Sequence, residues 1–94
     1  MTPPELPSRD KVRQTFLDVL AGRMSREAAA SWADIWVVKS DPDVDDFVVW
    51  EALKDLSGID LRVNATDYLH NEADIHSWLD RVEEAIERDG SDPA

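Results

Sequence analysis

Four stretches of the chain space their apolar residues to line one side of an α-helix, and each ends at a lone glycine or at an acidic, proline-bearing turn. Isolated helices of about 12 residues are marginal in water, so such segments become stable only by pressing their apolar sides together. In the first stretch, Val12, Phe16, Val19 and Leu20 form the stripe, Leu17 widens it, and Gly22 ends it by offering a left-handed backbone position. The second opens at Ser25, a helix N-cap with Glu27 in the first turn, and turns Ala29, Trp32, Ala33 and Trp36 inward, with Ala28 and Ile35 at the margins. The β-branched run Ile35, Val37 and Val38 weakens the helix near its end, which places the boundary around 37–39.

Ser40-Asp41-Pro42-Asp43-Val44-Asp45-Asp46 is a turn, because Pro42 holds Asp41 extended and the carboxylates resist a compact helical turn. Asp45 or Asp46 then caps a third helix that runs through Leu56, with Phe47, Val49, Trp50, Leu53 and Leu56 inward and Glu51, Lys54 and Asp55 outward. Gly58 stops it, and Ile59 is expected to fold back in a contact of the Schellman type. Asn71 caps the fourth helix, Asp74 takes the reciprocal capping position, and Ile75, Trp78, Leu79, Val82 and Ile86 follow at helical spacing up to Gly90. Between the last two helices, Ile59, Leu61 and Val63 alternate with Asp60, Arg62 and Asn64, and Tyr68-Leu69 is a second short apolar pair. A lone two-stranded hairpin is marginal, so residues 59–69 read as an irregular or minimally extended segment pinned by those apolar side chains.

The expected fold is therefore all-α, a compact bundle of about four short helices packed in sequence. Ninety-four residues suit one core, and a 43% hydrophobic share with four tryptophans is too apolar for disorder despite 33% charged residues. Residues 1–8, with three prolines, form an extended lead-in; 9–89 form the single helical domain; 90–94 form a frayed tail.

No apolar run approaches the roughly 20 residues of a membrane span, the start of the chain is unlike a signal peptide, and cysteine is absent. These features point to a cytoplasmic protein without a membrane partner. The net charge is −11 and uneven: residues 1–40 hold five acids against six bases, whereas residues 41–94 hold sixteen acids against four bases. Such a field repels phosphates and attracts a basic protein, so no nucleic-acid partner is expected.

Groups for chemistry are few. His70 and His76 stand six apart and lack zinc-site spacing, although a loop folded over the helix would bring His70 near Asp74. Asp41, Asp43 and Asp45 imitate the start of a calcium loop, but Asp46 stands where that loop needs glycine and Ala52 where it needs a bidentate glutamate. No serine has an evident base or oxyanion partner, and the three glycines stand apart instead of forming a phosphate loop. The chain is thus expected to be no enzyme and to hold no metal and no cofactor. The tryptophans belong first to the core. Trp36, nearest the acidic turn, is the one placed to anchor a partner, which makes Trp36 with Asp41, Asp43, Asp45 and Asp46 the candidate binding patch. The function expected on these grounds is an acidic protein-binding module, of the inhibitor or immunity type, directed at a basic protein. The alternative is a structural or homo-oligomeric helical module, a homodimer closed by surplus hydrophobes such as Val37, Val48 or Val49.

Taken together, Phe16-Leu17 with Ala21-Gly22, Met24-Ser25-Arg26-Glu27 leading to Trp32-Ala33 and Trp36, Val49-Trp50-Glu51-Ala52-Leu53, Leu56-Ser57-Gly58 with Asp60-Leu61, and Tyr68-Leu69 before Ile75 and Trp78-Leu79 carry a resemblance over residues 12–82. The chain resembles a family of small acidic bacterial proteins of the actinobacterial type, for which no activity is established. The resemblance implies a bacterial cytosolic helical domain and adds no catalytic role.

Overall fold

A computed structural model describes residues 7–38, 44 and 46–89. Four helices follow one another: α1 (Arg9–Leu20), α2 (Arg26–Val37), α3 (Phe47–Ser57) and α4 (Glu72–Arg88). Among the described residues there is no strand, and one isolated antiparallel pairing joins Arg62 to Tyr68. The fold is all-α. Of the expected lead-in only Pro7 and Ser8 are described, and the expected tail at 90–94 lies outside the described residues.

Each helix begins where a side-chain oxygen takes up an amide that the helix itself leaves unpaired. Ser8 accepts from the Lys11 amide and Ser25 from the Ala28 amide, both at 3.0 Å. Asp46 accepts from the Val48 and Val49 amides, and Asn71 from the Asp74 amide at 3.0 Å. The Asp74 carboxylate faces His70 Nδ1 at 3.4 Å, so it engages the incoming loop.

The helix ends follow expectation at Gly22 and around residue 37, and depart from it at Gly58. The Schellman motif forms at Gly22, whose φ is +80°: the Arg23 amide bonds Asp18 O at 2.8 Å and the Gly22 amide bonds Val19 O at 3.1 Å. Gly58 has φ −103°, so no left-handed motif forms there. Instead the last turn of α3 tightens, with the Gly58 amide on Asp55 O and the Ile59 amide on Leu56 O. That tightening drops Ile59 wholly into the core.

The interior is built from Val12 and Phe16 of α1, the alanine face and Trp36 of α2, Val49, Leu53 and Leu56 of α3, and Ile75, Leu79 and Val82 of α4. Ala29, Ala30 and Ala33 let a neighbouring backbone come close, and α2 packs most extensively on α3 while α1 packs most on α4. Thr15, buried on α1, satisfies its hydroxyl on Lys11 O at 2.8 Å. Some expected core residues lie outside it. Phe47 is 72% exposed, Ile35 is exposed, and Trp32, Trp50 and Trp78 are half-buried. Periodicity sets the direction of an apolar stripe but not how far along it neighbours extend, and Phe47 stands at the first position of its helix, beyond their reach. In the 59–69 segment Ile59 alone serves as an apolar pin, since Leu61, Val63 and Leu69 are exposed.

Candidate nucleic-acid interface

Trp36 does not present its ring to a partner: it is 2% exposed, on the inner side of α2. An alanine-rich helix packed closely on α3 leaves that ring enclosed. Asp46 is committed to the fold, because its carboxylate caps α3 and also accepts from Arg9 Nε at 2.7 Å. Burial would push the Asp46 pKa up, but the bond from Arg9 and the amides of Val48 and Val49 outweigh it and hold it below the ordinary value. Asp41, Asp43 and Asp45 lie outside the described residues.

Most described cations are already paired on the bundle surface. Arg13 meets Glu83 at 2.9 Å, Arg81 meets Asp55 at 2.8 Å, Arg88 meets Asp89, and Lys54 meets Glu51. Along the groove between α1 and α4, Asp10, Asp80, Glu83, Glu84 and Glu87 surround Arg13, a setting that repels phosphate. Three further cations lie on the α1–α2 side: Arg23 and Arg26 flank the turn between the helices, and Lys11 sits near the start of α1, over Trp32. Arg23, with a largely exposed side chain, pairs with Asp18 at 3.0 Å, and neither Lys11 nor Arg26 makes an ion pair among the described residues.

A tyrosine-centred cluster ties this region to the 59–69 segment. The Arg26 and Arg62 guanidinium groups lie 4.2 and 4.6 Å from the Tyr68 ring centroid, within cation–π range. Arg26 also donates to Ile59 O at 3.2 Å and His70 O at 2.6 Å, which anchors both ends of the loop to the start of α2. The Tyr68 hydroxyl donates to Glu27 Oε2 at 2.8 Å, and Arg62 Nη2 donates to the same oxygen at 3.3 Å. Those bonds, the one from Tyr68 foremost, hold the Glu27 carboxyl below its ordinary range, and the same bond raises the Tyr68 phenol.

The loop itself is ordered by local bonds. Asn64 Oδ1 accepts from the Thr66 amide, the Thr66 hydroxyl and the Asp67 amide, an Asx turn. The Leu69 amide bonds Leu61 O at 2.8 Å, and the Val63 amide bonds Asp67 O at 3.0 Å. Alternation then sends Arg62 and Tyr68 toward α2 and leaves Leu61, Val63 and Leu69 outside. Sequence reasoning gave the pinning role to Ile59, Leu61, Val63 and the Tyr68-Leu69 pair, and missed the parts of Arg62 and Glu27. The signal was the same period of two, with the opposite phase.

Next to the cluster lies a cleft of ≈330 Å³, lined by the apolar Val19, Leu20, Met24 and Ile75 and by the polar Arg26, Glu27, Tyr68 and Glu72, among others. The short glycine-bearing turn between α1 and α2 is a feature shared with the helix-turn-helix. In that motif the second helix reads base edges in the major groove. The exposed side of α2 carries Glu27, Ala28, Ser31 and Ile35, and lacks the Arg, Asn and Gln side chains that make bidentate base contacts. His70 does fold over α4, with its ring edge-on to Trp78 at 4.8 Å. Among the described residues no three His, Cys, Asp or Glu side chains converge so as to hold a metal ion.

Residues 7–82 match a family described as YxzC DNA-binding protein. The chain belongs to this family. A YxzC relative from Bacillus subtilis (strain 168), named "Uncharacterized protein YxzC", is 41% identical over 66 residues, which cover 70% of this chain and 54% of that protein. The chain thus spans about half the length of the curated relative it matches. No solved structure matches. Of the family expected from the sequence, the small bacterial protein family is shown, and its acidic, actinobacterial character is not. The YxzC description overturns the expectation of no nucleic-acid partner, and with it the acidic inhibitor of a basic protein; nor does it favour the structural or homo-oligomeric alternative. The physical error lay in treating a net charge of −11 as a property of every face. At about 0.1 M salt, charges more than roughly 10 Å apart are largely screened, so a local group of cations acts on its own.

Proposed function

We propose that this chain is a non-catalytic DNA-binding module that grips the phosphate backbone around the α1–α2 turn. Membership of the YxzC family over residues 7–82 carries this reading. Arg23 and Arg62 are the phosphate contacts, since both guanidinium groups are solvent-accessible and flank the same turn region. Lys11, over the Trp32 ring at 5.6 Å, adds positive charge on the α1–α2 side. The acidic α1–α4 groove turns away from the duplex, which fixes the orientation of docking. Because the exposed side of α2 lacks base-reading side chains, binding is to the backbone and tolerant of sequence. A DNA target also fits work in the bacterial cytoplasm, and no helix among the described residues is long and apolar enough to cross a membrane.

The test is fluorescence anisotropy with a labelled mixed-sequence duplex and a single strand at low and moderate salt. Arg23→Ala and Arg62→Ala should each weaken duplex binding and lower the log–log salt slope by up to about one. Arg88→Ala, a change of the same charge on α4, should leave the slope unchanged. Absence of binding to either probe at about 50 mM salt, or equal loss from all three variants, overturns the reading.

A further inference from the structure

Glu27 occupies an unusual position for a residue beside a phosphate-binding arginine. Its Oε2 accepts two bonds, from the Tyr68 hydroxyl at 2.8 Å and from Arg62 Nη2 at 3.3 Å. The second is long against the roughly 2.7–2.9 Å of a good charge-assisted bond, and both partners are about half exposed. We propose that Glu27 is a built-in competitor for phosphate: its carboxylate fills the anion position at Arg62 and Tyr68, and a DNA phosphate oxygen takes its place on binding. This inference rests on the DNA-binding reading.

The chemistry of the exchange is direct. A carboxylate oxygen and a phosphate oxygen are both anionic acceptors, so either can take the two protons that Arg62 Nη2 and the Tyr68 hydroxyl offer. The donors stay in place when Glu27 leaves, because other contacts hold them. Arg62 Nη1 donates to Ala65 O at 3.1 Å, and the Asx turn and the Arg62–Tyr68 pairing hold the loop. Arg26 stays over the Tyr68 ring, bonded to Ile59 O and His70 O. Its charge faces no carboxylate partner among the described residues, so the position keeps a positive neighbour whichever anion fills it. Glu27 is an exposed side chain in the first turn of α2, with room to swing outward. Asp18 is held more firmly, accepting from both Arg23 and Gln14 at 3.0 Å. Glu72 also lines the cleft next to this cluster.

The experiment compares Glu27→Gln with Glu87→Gln, which removes an equal charge from α4. Glutamine keeps an acceptor for the Tyr68 hydroxyl, and a thermal melt confirms the fold of each variant. Duplex affinity should rise for Glu27→Gln by about threefold more than for Glu87→Gln, the scale of one exposed ion pair. In an Arg62→Ala background that excess should vanish. If wild type binds DNA and the two glutamine variants behave alike, or Glu27→Gln binds more weakly than wild type, the competition is refuted while the DNA reading stands. If wild type does not bind at about 50 mM salt, the DNA reading falls and the competitor with it, whatever Glu27→Gln does.

Discussion

Arg9 joins three parts of the chain that lie far apart in sequence. Its guanidinium donates to Asp46 at 2.7 Å, to Asp89 at 2.6 Å and to Ala85 O at 3.1 Å, so the start of α1, the cap of α3 and the end of α4 share one group. Asp46→Ala should cost about 1–2 kcal/mol in urea unfolding, the sum of a lost cap and a lost, partly exposed ion pair. The cost should fall short of additivity with Arg9→Ala, because both changes remove the same contact. Two carboxylates then give opposite pH signs. Asp46 has a depressed folded pKa, so its stabilisation is complete above its unfolded value near 3.8 and disappears as pH falls through the folded value. Asp55 is pushed up by burial, an effect that Arg81 only partly offsets. The fold therefore favours its protonated form, and stability declines as pH rises from the unfolded value through the folded one. In urea midpoints measured against pH, Asp46→Asn should flatten the acid limb, and Asp55→Asn should remove the opposing decline.

At the scale of elements, the two described glycines separate conformational need from mere presence. Gly22 has φ +80° and nothing within 4 Å of a built Cβ, so Gly22→Ala meets backbone strain alone. About 1 kcal/mol is expected, the usual cost of forcing an L side chain into the left-handed region. Gly58 has φ −103°, and its Cβ would meet Leu61 Cδ1 at 3.4 Å, an ordinary contact with an exposed side chain. Gly58→Ala should be close to neutral or slightly stabilising. Thermal melts of the two variants, read side by side, check the contrast; equal losses would remove the Schellman assignment at Gly22. The loop after Gly58 shows why elements of this kind are hard to place. Period two was legible in Ile59 to Asn64, yet its phase depended on Arg26 and Glu27 waiting on α2.

For the whole molecule, one interior serves all four helices, with Leu53, Leu56, Phe16, Ile59 and Ile75 wholly enclosed. Leu53→Ala should cost about 2–5 kcal/mol, a large part of the roughly 5–15 kcal/mol typical of a domain. Helical circular dichroism and tryptophan fluorescence should move together in that variant, since no helix here holds without the others. Divergent midpoints would show that part of the bundle folds separately.

The helices, their four caps and their apolar stripes follow from local rules, which is why Ser8, Ser25 and Asn71 stand where the sequence alone put them and Asp46 is one of the two residues it offered. Capping and helical spacing act over a few residues, so they can be read without knowing the neighbours. Burial and charge environment cannot. Trp36 looked fit to anchor a partner until α3 enclosed it, and a net charge of −11 hid the Arg26–Tyr68–Arg62 cluster because it sums over faces that only the fold separates. Contacts such as Glu27 with Tyr68, 41 residues apart, exist only once tertiary packing has brought a loop to a helix start. The sequence determined what each segment would be; the packing decided which side chains met, since exposure and pairing are properties of the neighbours and not of the residue.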